Sequence, residues 1–187
     1  MNSVFMVEDL PINGVKLITP FYVEDNRGYF LKYYEQEIYK RLGIEGETRE
    51  DFETFSERGV IRGLHFQTIN PQQKIVHVPF GTIHDVIVDL RTGSETFGEH
   101  LDIELSGENH RVLYIPSGFA HGFEVLSECA LTSYKCIGEY IVGADTGIYF
   151  NSPKLNIEWQ TEEPVLSEKD KRLMMFEEFI TKYGGLS

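Results

Sequence analysis

Residues 60–90 read VIRGLHFQTINPQQKIVHVPFGTIHDVIVDL, and this stretch indicates the fold most clearly. It holds three short apolar runs, at Val60–Gln67, Lys74–Phe80 and Thr82–Leu90. Valine, isoleucine and phenylalanine dominate the runs, and these side chains suit a half-buried pleated surface. Each run therefore predicts a β-strand, while the Asn-Pro and Gly residues between the runs predict turns.

The same pattern continues on both sides of this stretch. A short surface helix is predicted at Gln36–Leu42, where Gly43 stops it. Many short strands at close spacing indicate a sandwich or barrel, and a double-sheet jelly roll of the cupin type fits best. We therefore expect a mainly β fold, a cupin-type jelly-roll barrel with short helices. The further predicted strands are Val15–Val23, Tyr29–Tyr34, His100–Leu105, Arg111–Ile115, Ala120–Leu126 and Ala130–Ile137.

The tail of the chain has a different pattern. Residues 167–183 are charged and place Leu173, Phe176 and Ile180 at helical spacing. Ser167 followed by Asp170 resembles a capping box, with Asp in place of the preferred Glu. We expect a C-terminal helix at about 167–183, packed on the β body of one jelly-roll domain that spans residues 1–187.

Composition narrows the possible partners. The chain has 187 residues and a formal net charge of -13, which disfavours nucleic acid as a partner because phosphate backbones are repelled. No run approaches the ~20 apolar residues of a membrane span, and the acidic N-terminus does not resemble a signal peptide. We expect a cytoplasmic protein that does not associate with membranes. Cys129 and Cys136 are interpreted as small buried hydrophobes.

Several polar residues interrupt the apolar strands. Side chains alternate along a strand, so each strand has one face toward the barrel interior, whose mouth is the natural ligand pocket. There, a histidine could take a proton beside a carbonyl, a lysine could stabilise the enolate, and a tyrosine could return a proton from the opposite face. From composition and spacing alone, hydrogen-bonded barrel residues and a surface lysine are the preferred interpretation of His65, His121 and Lys74.

A set of motifs favours the catalytic interpretation of these residues over the structural one. Arg62-Gly-Leu-His-Phe-Gln67 is followed by Gln73-Lys74 and by Gly81-x-x-x-Asp85-Val-Ile-Val-Asp-Leu-Arg91. The other motifs are Ser94-x-Thr-Phe-Gly98, Leu105-Ser-x-Glu-Asn109, Ile115-Pro-x-Gly-Phe-Ala-His-Gly-Phe123, Tyr134-Lys-Cys136 and Leu166-Ser-x-x-Asp170. Through these motifs the chain resembles the nucleotide-diphospho-4-keto-6-deoxysugar 3,5-epimerases of dTDP-rhamnose biosynthesis, from about Gly14 to Asp170. The resemblance implies a cupin-type jelly roll and a homodimer.

The resemblance implies four catalytic residues. His65 matches the base that removes the proton next to the C4 ketone, and Asp170 matches its carboxylate partner. A carboxylate fixes the tautomer of an imidazole and favours the imidazolium that forms. Lys74 matches the residue that stabilises the enolate, and Tyr134 matches the acid that reprotonates the other face of the ring.

The resemblance also implies residues that bind the substrate. Arg62 and Arg27 match residues that contact the diphosphate, and Tyr140 matches an aromatic residue near the nucleotide. His121 and Asp85 match the floor of the pocket, and Asp85 could hold either His65 or His121. Ordinary strand packing and a solvated arginine are the alternatives for Tyr140 and Arg27.

No metal and no cofactor are expected. Metal-binding cupins usually carry His-x-His, then Glu, then a later His, whereas His77 and His84 here are seven residues apart. A metal site needs three or four coherent ligands. The reaction implied by the resemblance needs no cofactor, because the ketone already acidifies both neighbouring C–H bonds.

Four positions depart from the family pattern near the expected nucleoside end. Lys32 stands where family members often have Glu, and Glu50, Phe52 and Thr54 stand where they often have Gln, Asn and Ser. A carboxylate only accepts hydrogen bonds, so Glu50 suits the amino groups of cytosine or guanine better than thymine. A preference for a CDP- or GDP-linked sugar is therefore one hypothesis, and a surface pair between Lys32 and Glu50 is the other.

Other activities stay open at this point. An epimerase that inverts only C3 or only C5, and a 3,4-ketoisomerase of the same fold, would use the same residue types. A non-catalytic cupin that binds sugar nucleotides is a third alternative, although it would not need both His65 and Asp170. The expected partner in each case is a nucleotide-diphospho-4-keto-6-deoxy sugar.

Overall fold

The computed structural model describes residues 5–187, which form two β-sheets, a separate hairpin and short helices. The prediction of a chain without a signal peptide concerns in part residues 1–4, which lie outside the described part. The helices are α1, Gln36–Arg41, and α2, Phe176–Tyr183. The strands are β1 Met6–Asp9, β2 Lys16–Thr19, β3 Phe21–Asp25, β4 Gly28–Lys32, β5 Thr48–Glu57, β6 Ile61–Gln67, β7 Gln73–Phe80, β8 Thr82–Asp89, β9 His100–Ser106, β10 Val112–Ile115, β11 Phe119–Val125, β12 Cys129–Ile137 and β13 Asp145–Gly147.

Two sheets enclose the main core. Six strands form one sheet in the order β1-β2-β10-β7-β12-β5, and five form the other in the order β13-β6-β11-β8-β9. Val76 and Leu113 from the first sheet pack with Ile87 and Phe123 from the second, and all four are buried. This burial of alternating apolar side chains confirms the prediction of a mainly β, double-sheet fold.

Most predicted strands are confirmed, and the differences have physical causes. The run at 15–23 is divided into β2 and β3 at Pro20, whose nitrogen carries no hydrogen for a ladder bond. β5 was not predicted, although it is ten residues long. Its sequence, TREDFETFSE, is charged because β5 is an edge strand whose outward face meets solvent, so the apolar signal of a strand is missing.

The predicted C-terminal helix is too long. α2 begins only at Phe176, and the preceding residues form a short 3-10 turn at Asp170–Arg172. The chain before that turn is held beside β6, because the Ile61 amide donates to the carbonyl of Val165. Ser167 therefore does not cap a helix, although its hydroxyl accepts the amide of Asp170 at 3.0 Å.

The two cysteines both lie on β12 and are unpaired. Cys136 is buried, as predicted, whereas Cys129 is only partly buried because it opens the strand. Within residues 5–187, no helix has the length and apolar character needed to cross a membrane.

Candidate active site

A cavity of about 300 Å³ lies between the two sheets. Its volume is at the lower end of the range of small-molecule sites, ~300–1,000 Å³. Its walls come from both sheets, so residues far apart in the sequence face each other. Of the residues predicted from the sequence, seven line the cavity: Glu50, Arg62, His65, Lys74, His121, Tyr134 and Tyr140.

His65 and Asp170 form a hydrogen-bonded pair at the cavity wall. The tail that runs beside β6 brings them together, and Nε2 of His65 lies 2.6 Å from Oδ1 of Asp170. The His65 side chain is 31% exposed and that of Asp170 only 5%. Burial by itself raises the pKa of Asp170, but the hydrogen bonds from His65 and Ser167 outweigh it and lower the pKa. A charged carboxylate only accepts, so Nε2 of His65 carries the proton and Nδ1 is the free base.

A second pair joins His121, which lines the cavity, to Asp85, which is buried and does not line it. Nε2 of His121 lies 2.8 Å from Oδ2 of Asp85, and the two side chains are only 3% and 0% exposed. Asp85 therefore holds His121, which answers the question that the sequence left open. Burial lowers the pKa of His121, although Asp85 opposes this effect.

Two glycines allow the strands that carry the histidines to approach closely. His65 on β6 and His121 on β11 are direct cross-strand partners. A Cβ atom on Gly63 would lie 2.5 Å from the Cα of Gly122, a separation that no side chain could tolerate. The glycine in Arg62-Gly-Leu-His is thus a steric requirement for placing His65 beside His121.

Lys74 and Tyr134 reach the cavity from the opposite sheet, on β7 and β12. Nζ of Lys74 donates to the backbone oxygen of His65 at 3.4 Å, so the cation lies next to the predicted base. Burial lowers the pKa of Lys74, while nearby Cys136, Asp145 and Asp85 oppose that shift. Burial raises the pKa of Tyr134 well above its ordinary value, so its hydroxyl is protonated at neutral pH and can donate.

The cavity thus carries a proton acceptor on one sheet, a proton donor on the facing sheet and a cation beside the acceptor. This arrangement suits proton removal next to a carbonyl, with the cation at the developing enolate oxygen. Within the described part of the chain, no three His, Cys, Asp or Glu side chains converge as a metal site.

Comparison with known proteins identifies the family. A family model described as dTDP-4-dehydrorhamnose 3,5-epimerase matches residues 9–178. The chain belongs to the dTDP-4-dehydrorhamnose 3,5-epimerase family. A relative of that name from Methanothermobacter thermautotrophicus is 43% identical over 163 residues, covering 86% of this chain and 88% of the relative. A dTDP-4-dehydrorhamnose 3-epimerase from Streptomyces niveus is 35% identical over 171 residues, covering 90% and 83%.

Solved epimerases share the architecture. The crystal structure of dTDP-6-deoxy-D-glucose-3,5-epimerase from Legionella pneumophila, in complex with dTDP-4-keto-L-rhamnose, matches with a TM-score of 0.89 and 39% identity. The match covers 92% of this chain and 93% of that one. The resemblance found in the sequence motifs is therefore confirmed, and so is the predicted cupin-type jelly roll of an isomerase-class enzyme.

Arg27 and Lys32 lie outside the lining of the cavity. Arg27 sits on the β3–β4 hairpin with its side chain 85% exposed, paired with Asp25. Lys32 lies 2.9 Å from Glu35. Glu50 does line the cavity, where it accepts a hydrogen bond from Gln72 at 2.9 Å. Their roles in the epimerase family stay predictions.

Tyr140 lies at the mouth of the cavity on a loop that Gln67 holds in place. The side-chain amide of Gln67 donates to the backbone oxygen of Glu139 at 3.1 Å and accepts the amide of Ile141 at 2.6 Å. Gln67 is the last residue of Arg62-Gly-Leu-His-Phe-Gln67. The motif therefore supplies both the base and the support for the neighbouring aromatic residue.

Sequence reasoning missed two residues of the cavity. Gln72 precedes the recognised Gln73-Lys74 and connects Glu50 to the backbone oxygen of Gly138. Asp145 lines the cavity and forms an ion pair with Lys169. Position next to a motif could have indicated Gln72, but the short strand of Asp145 carries no comparable signal.

Proposed function

We propose that this protein epimerises a nucleotide-diphospho-4-keto-6-deoxyhexose, as a dTDP-4-dehydrorhamnose 3,5-epimerase. The single observation that carries the proposal is the placement of His65 and Tyr134 on facing walls of one cavity, with Lys74 beside His65. Inversion at a carbon requires proton removal from one face and delivery to the other. A base and an acid on opposite sheets meet that requirement.

The proposed reaction has two steps at each carbon. Nδ1 of His65 takes the proton next to the C4 ketone, while the ammonium of Lys74 stabilises the enolate oxygen. Tyr134 then delivers its proton to the opposite face of the same carbon and recovers one from solvent. A positioned general acid or base typically contributes ~10²–10⁴-fold to such a rate.

The nucleotide is proposed to be dTDP. This assignment is supported by the relatives, whose names specify dTDP-linked sugars. Arg62 lines the cavity and is the candidate to bind the diphosphate, and Tyr140 is the candidate to pack near the base. Glu50 already accepts from Gln72, so the hypothesis of a CDP- or GDP-linked substrate stays a prediction without further support.

A second candidate is inversion at one carbon only. It is favoured by the relative from Streptomyces niveus, which is named a 3-epimerase. The same base and acid could invert one carbon or two, because the outcome depends on whether both C3 and C5 of the sugar can be placed between His65 and Tyr134.

The active protein is proposed to be a homodimer in the cytoplasm. Within residues 5–187, β3 and β4 pair only with each other, and their aromatic residues Tyr22, Tyr29 and Phe30 are 38%, 55% and 57% exposed. A second copy of the chain would cover them. Such contact would also bring Arg27 to the cavity of the partner. Two free cysteines support a reducing compartment.

The dimer can be tested by complementation. We expect size-exclusion chromatography with light scattering to give twice the mass of the chain. If Arg27 serves the partner's cavity, mixing the inactive variants Arg27→Ala and His65→Ala so that subunits exchange restores about a quarter of the wild-type activity, because half of the dimers then carry one intact site. A monomeric mass, or no recovery on mixing, rejects the arrangement.

Proton NMR in deuterium oxide tests the activity itself. The substrates are 4-keto-6-deoxy sugars linked to dTDP, CDP and GDP, supplied separately. Loss of the C3 and C5 proton signals with the dTDP sugar is the expected result. Loss at one carbon indicates a single-centre epimerase, and a shifted carbonyl carbon signal indicates a ketoisomerase. No change with any of the three leaves a binding protein and rejects the proposal.

A further inference from the structure

β5 lies directly against the strand that carries the predicted acid. On the cavity face, Phe52 is the cross-strand partner of Tyr134, and Thr54 is the partner of Thr132. Directly opposed side chains on one face of an antiparallel pair lie close enough to interact. The edge strand therefore touches Tyr134 before any substrate arrives.

Phe52 contacts the ring of Tyr134. The two ring centres are 4.8 Å apart, and the ring planes differ by only 16°. On another side, the ring of His121 meets Tyr134 edge-on at 5.8 Å. The Tyr134 ring is thus held between two aromatic neighbours, which restricts its rotation.

Thr54 lines the same cavity as Tyr134 and lies two residues after Phe52 on β5. The buried Thr54 hydroxyl has no partner within hydrogen-bond distance among residues 5–187. It is nevertheless close enough to lower the pKa of the Tyr134 phenol, against the larger effect of burial. A hydroxyl without a partner that lies beside an acid can donate to the phenolate left after proton delivery. Hydrogen bonds of this kind are often long before substrate binds and shorten in the complex.

We propose that Thr54 and Phe52 are positioning residues for Tyr134, so that β5 controls how efficiently the phenol delivers its proton. The inference rests on the proposed function. When Tyr134 donates, its O–H bond breaks, the new C–H bond forms, and the phenolate accepts a hydrogen bond from Thr54 until water returns a proton. Phe52 keeps the ring in the plane from which the carbon is reached.

The test separates proton removal from proton delivery. The variants are Thr54→Val, which removes the hydroxyl at similar size, and Thr54→Ser, which keeps it. Thr132→Val is the matched control, because Thr132 is the buried partner of Thr54 and its hydroxyl also has no partner in the described chain. In deuterium oxide with the dTDP-linked sugar, deuterium in recovered starting sugar reports removal by His65, and deuterium in inverted product reports delivery by Tyr134.

We expect Thr54→Val to lower the rate of inversion about tenfold while exchange into recovered substrate changes by less than about twofold. Thr54→Ser should restore inversion, and Thr132→Val should behave like the wild-type protein. An equal loss of exchange and inversion in Thr54→Val, or failure of Thr54→Ser to recover, overturns the inference alone. Absence of exchange in the wild-type protein overturns the proposed function, and the inference with it.

Phe52→Leu provides a second measurement that does not depend on the folding of Thr54→Val. Phe52 is 43% exposed, so its replacement costs little buried surface. We expect inversion to fall relative to exchange and the ratio of inversion at C3 to inversion at C5 to change at least about threefold. An unchanged ratio together with unchanged inversion contradicts a positioning role for the ring.

Discussion

The two histidine–carboxylate pairs of the cavity have nearly the same geometry and very different surroundings. His65 and Asp170 are 2.6 Å apart, and His121 and Asp85 are 2.8 Å apart. The His65 side chain is 31% exposed, whereas that of His121 is 3% exposed. A pair that solvent reaches can gain and lose a proton during a reaction, but a pair buried from solvent must keep one charge state. The difference in burial therefore favours a catalytic role for the first pair and a structural role for the second.

The largest effect is expected for His65→Asn. Asn keeps a hydrogen bond to Asp170 but has no basic nitrogen, so we expect kcat/KM to fall about 10³-fold. The free energy of unfolding should change by less than about 1 kcal/mol, since the site is partly exposed. Turnover and urea unfolding measure the two effects, with His100→Asn as a control outside the cavity. Activity within about tenfold of wild type would contradict the role of His65 as the base.

The buried pair should respond in the opposite manner. His121→Phe leaves the carboxylate of Asp85 buried without its partner, and we expect a loss of about 3 kcal/mol in the free energy of unfolding. The double variant His121→Phe/Asp85→Leu should recover much of that loss, because no charge is then stranded. Urea unfolding of both variants checks this, and equal destabilisation of the two would show that stranded charge is not the cause.

The carboxylate of the exposed pair can be tested separately. Asp170→Asn retains the shape, but the amide no longer imposes one tautomer on His65. We expect kcat/KM to fall about 10²-fold, less than for loss of the base itself. Deuterium exchange into recovered substrate supplies the second readout, because Asp170 acts through His65 and its loss should slow proton removal and inversion together. Unchanged exchange would refute the pairing.

A third histidine, His77, differs from both because it has no carboxylate partner among residues 5–187. It stacks on Tyr33 at 4.5 Å, and its ring nitrogens have no hydrogen-bond partner within residues 5–187. Burial lowers the pKa of His77 from 6.5 to about 4. The unfolded chain therefore binds the proton more readily, and the stability from neutral His77, fully present above pH 6.5, is lost as the pH falls toward 4.

His77→Phe removes this titration while keeping the aromatic stack. Between pH 7 and pH 5, the wild-type protein should lose about 2 kcal/mol more than the variant in the free energy of unfolding. Urea unfolding at the two pH values measures the difference. Parallel losses in both proteins would mean that His77 does not titrate on unfolding.

The fold was predictable where the apolar side chains of a strand face the buried interior, and it was less predictable elsewhere. The strands that carry His65, Lys74, His121 and Tyr134 are mostly buried and rich in apolar residues. β5 was not predicted from the sequence because its outward residues are charged, even though its inward face lines the cavity. Physical reasoning from the sequence could not place Asp170 beside His65, since 105 residues separate them and only the course of the tail brings them together.

β5 has a further consequence for how this enzyme can diversify. Among the described strands it pairs only with β12, so its cavity-facing residues Glu50, Phe52 and Thr54 can be exchanged without repacking the interior between the sheets. Its outward acids, Asp51 and Glu53, keep the open edge from recruiting foreign strands whatever stands on the inner face. Substrate preference and the efficiency of proton delivery by Tyr134 can thus both change along this edge of the barrel, while proton removal by His65 on the other sheet stays the same.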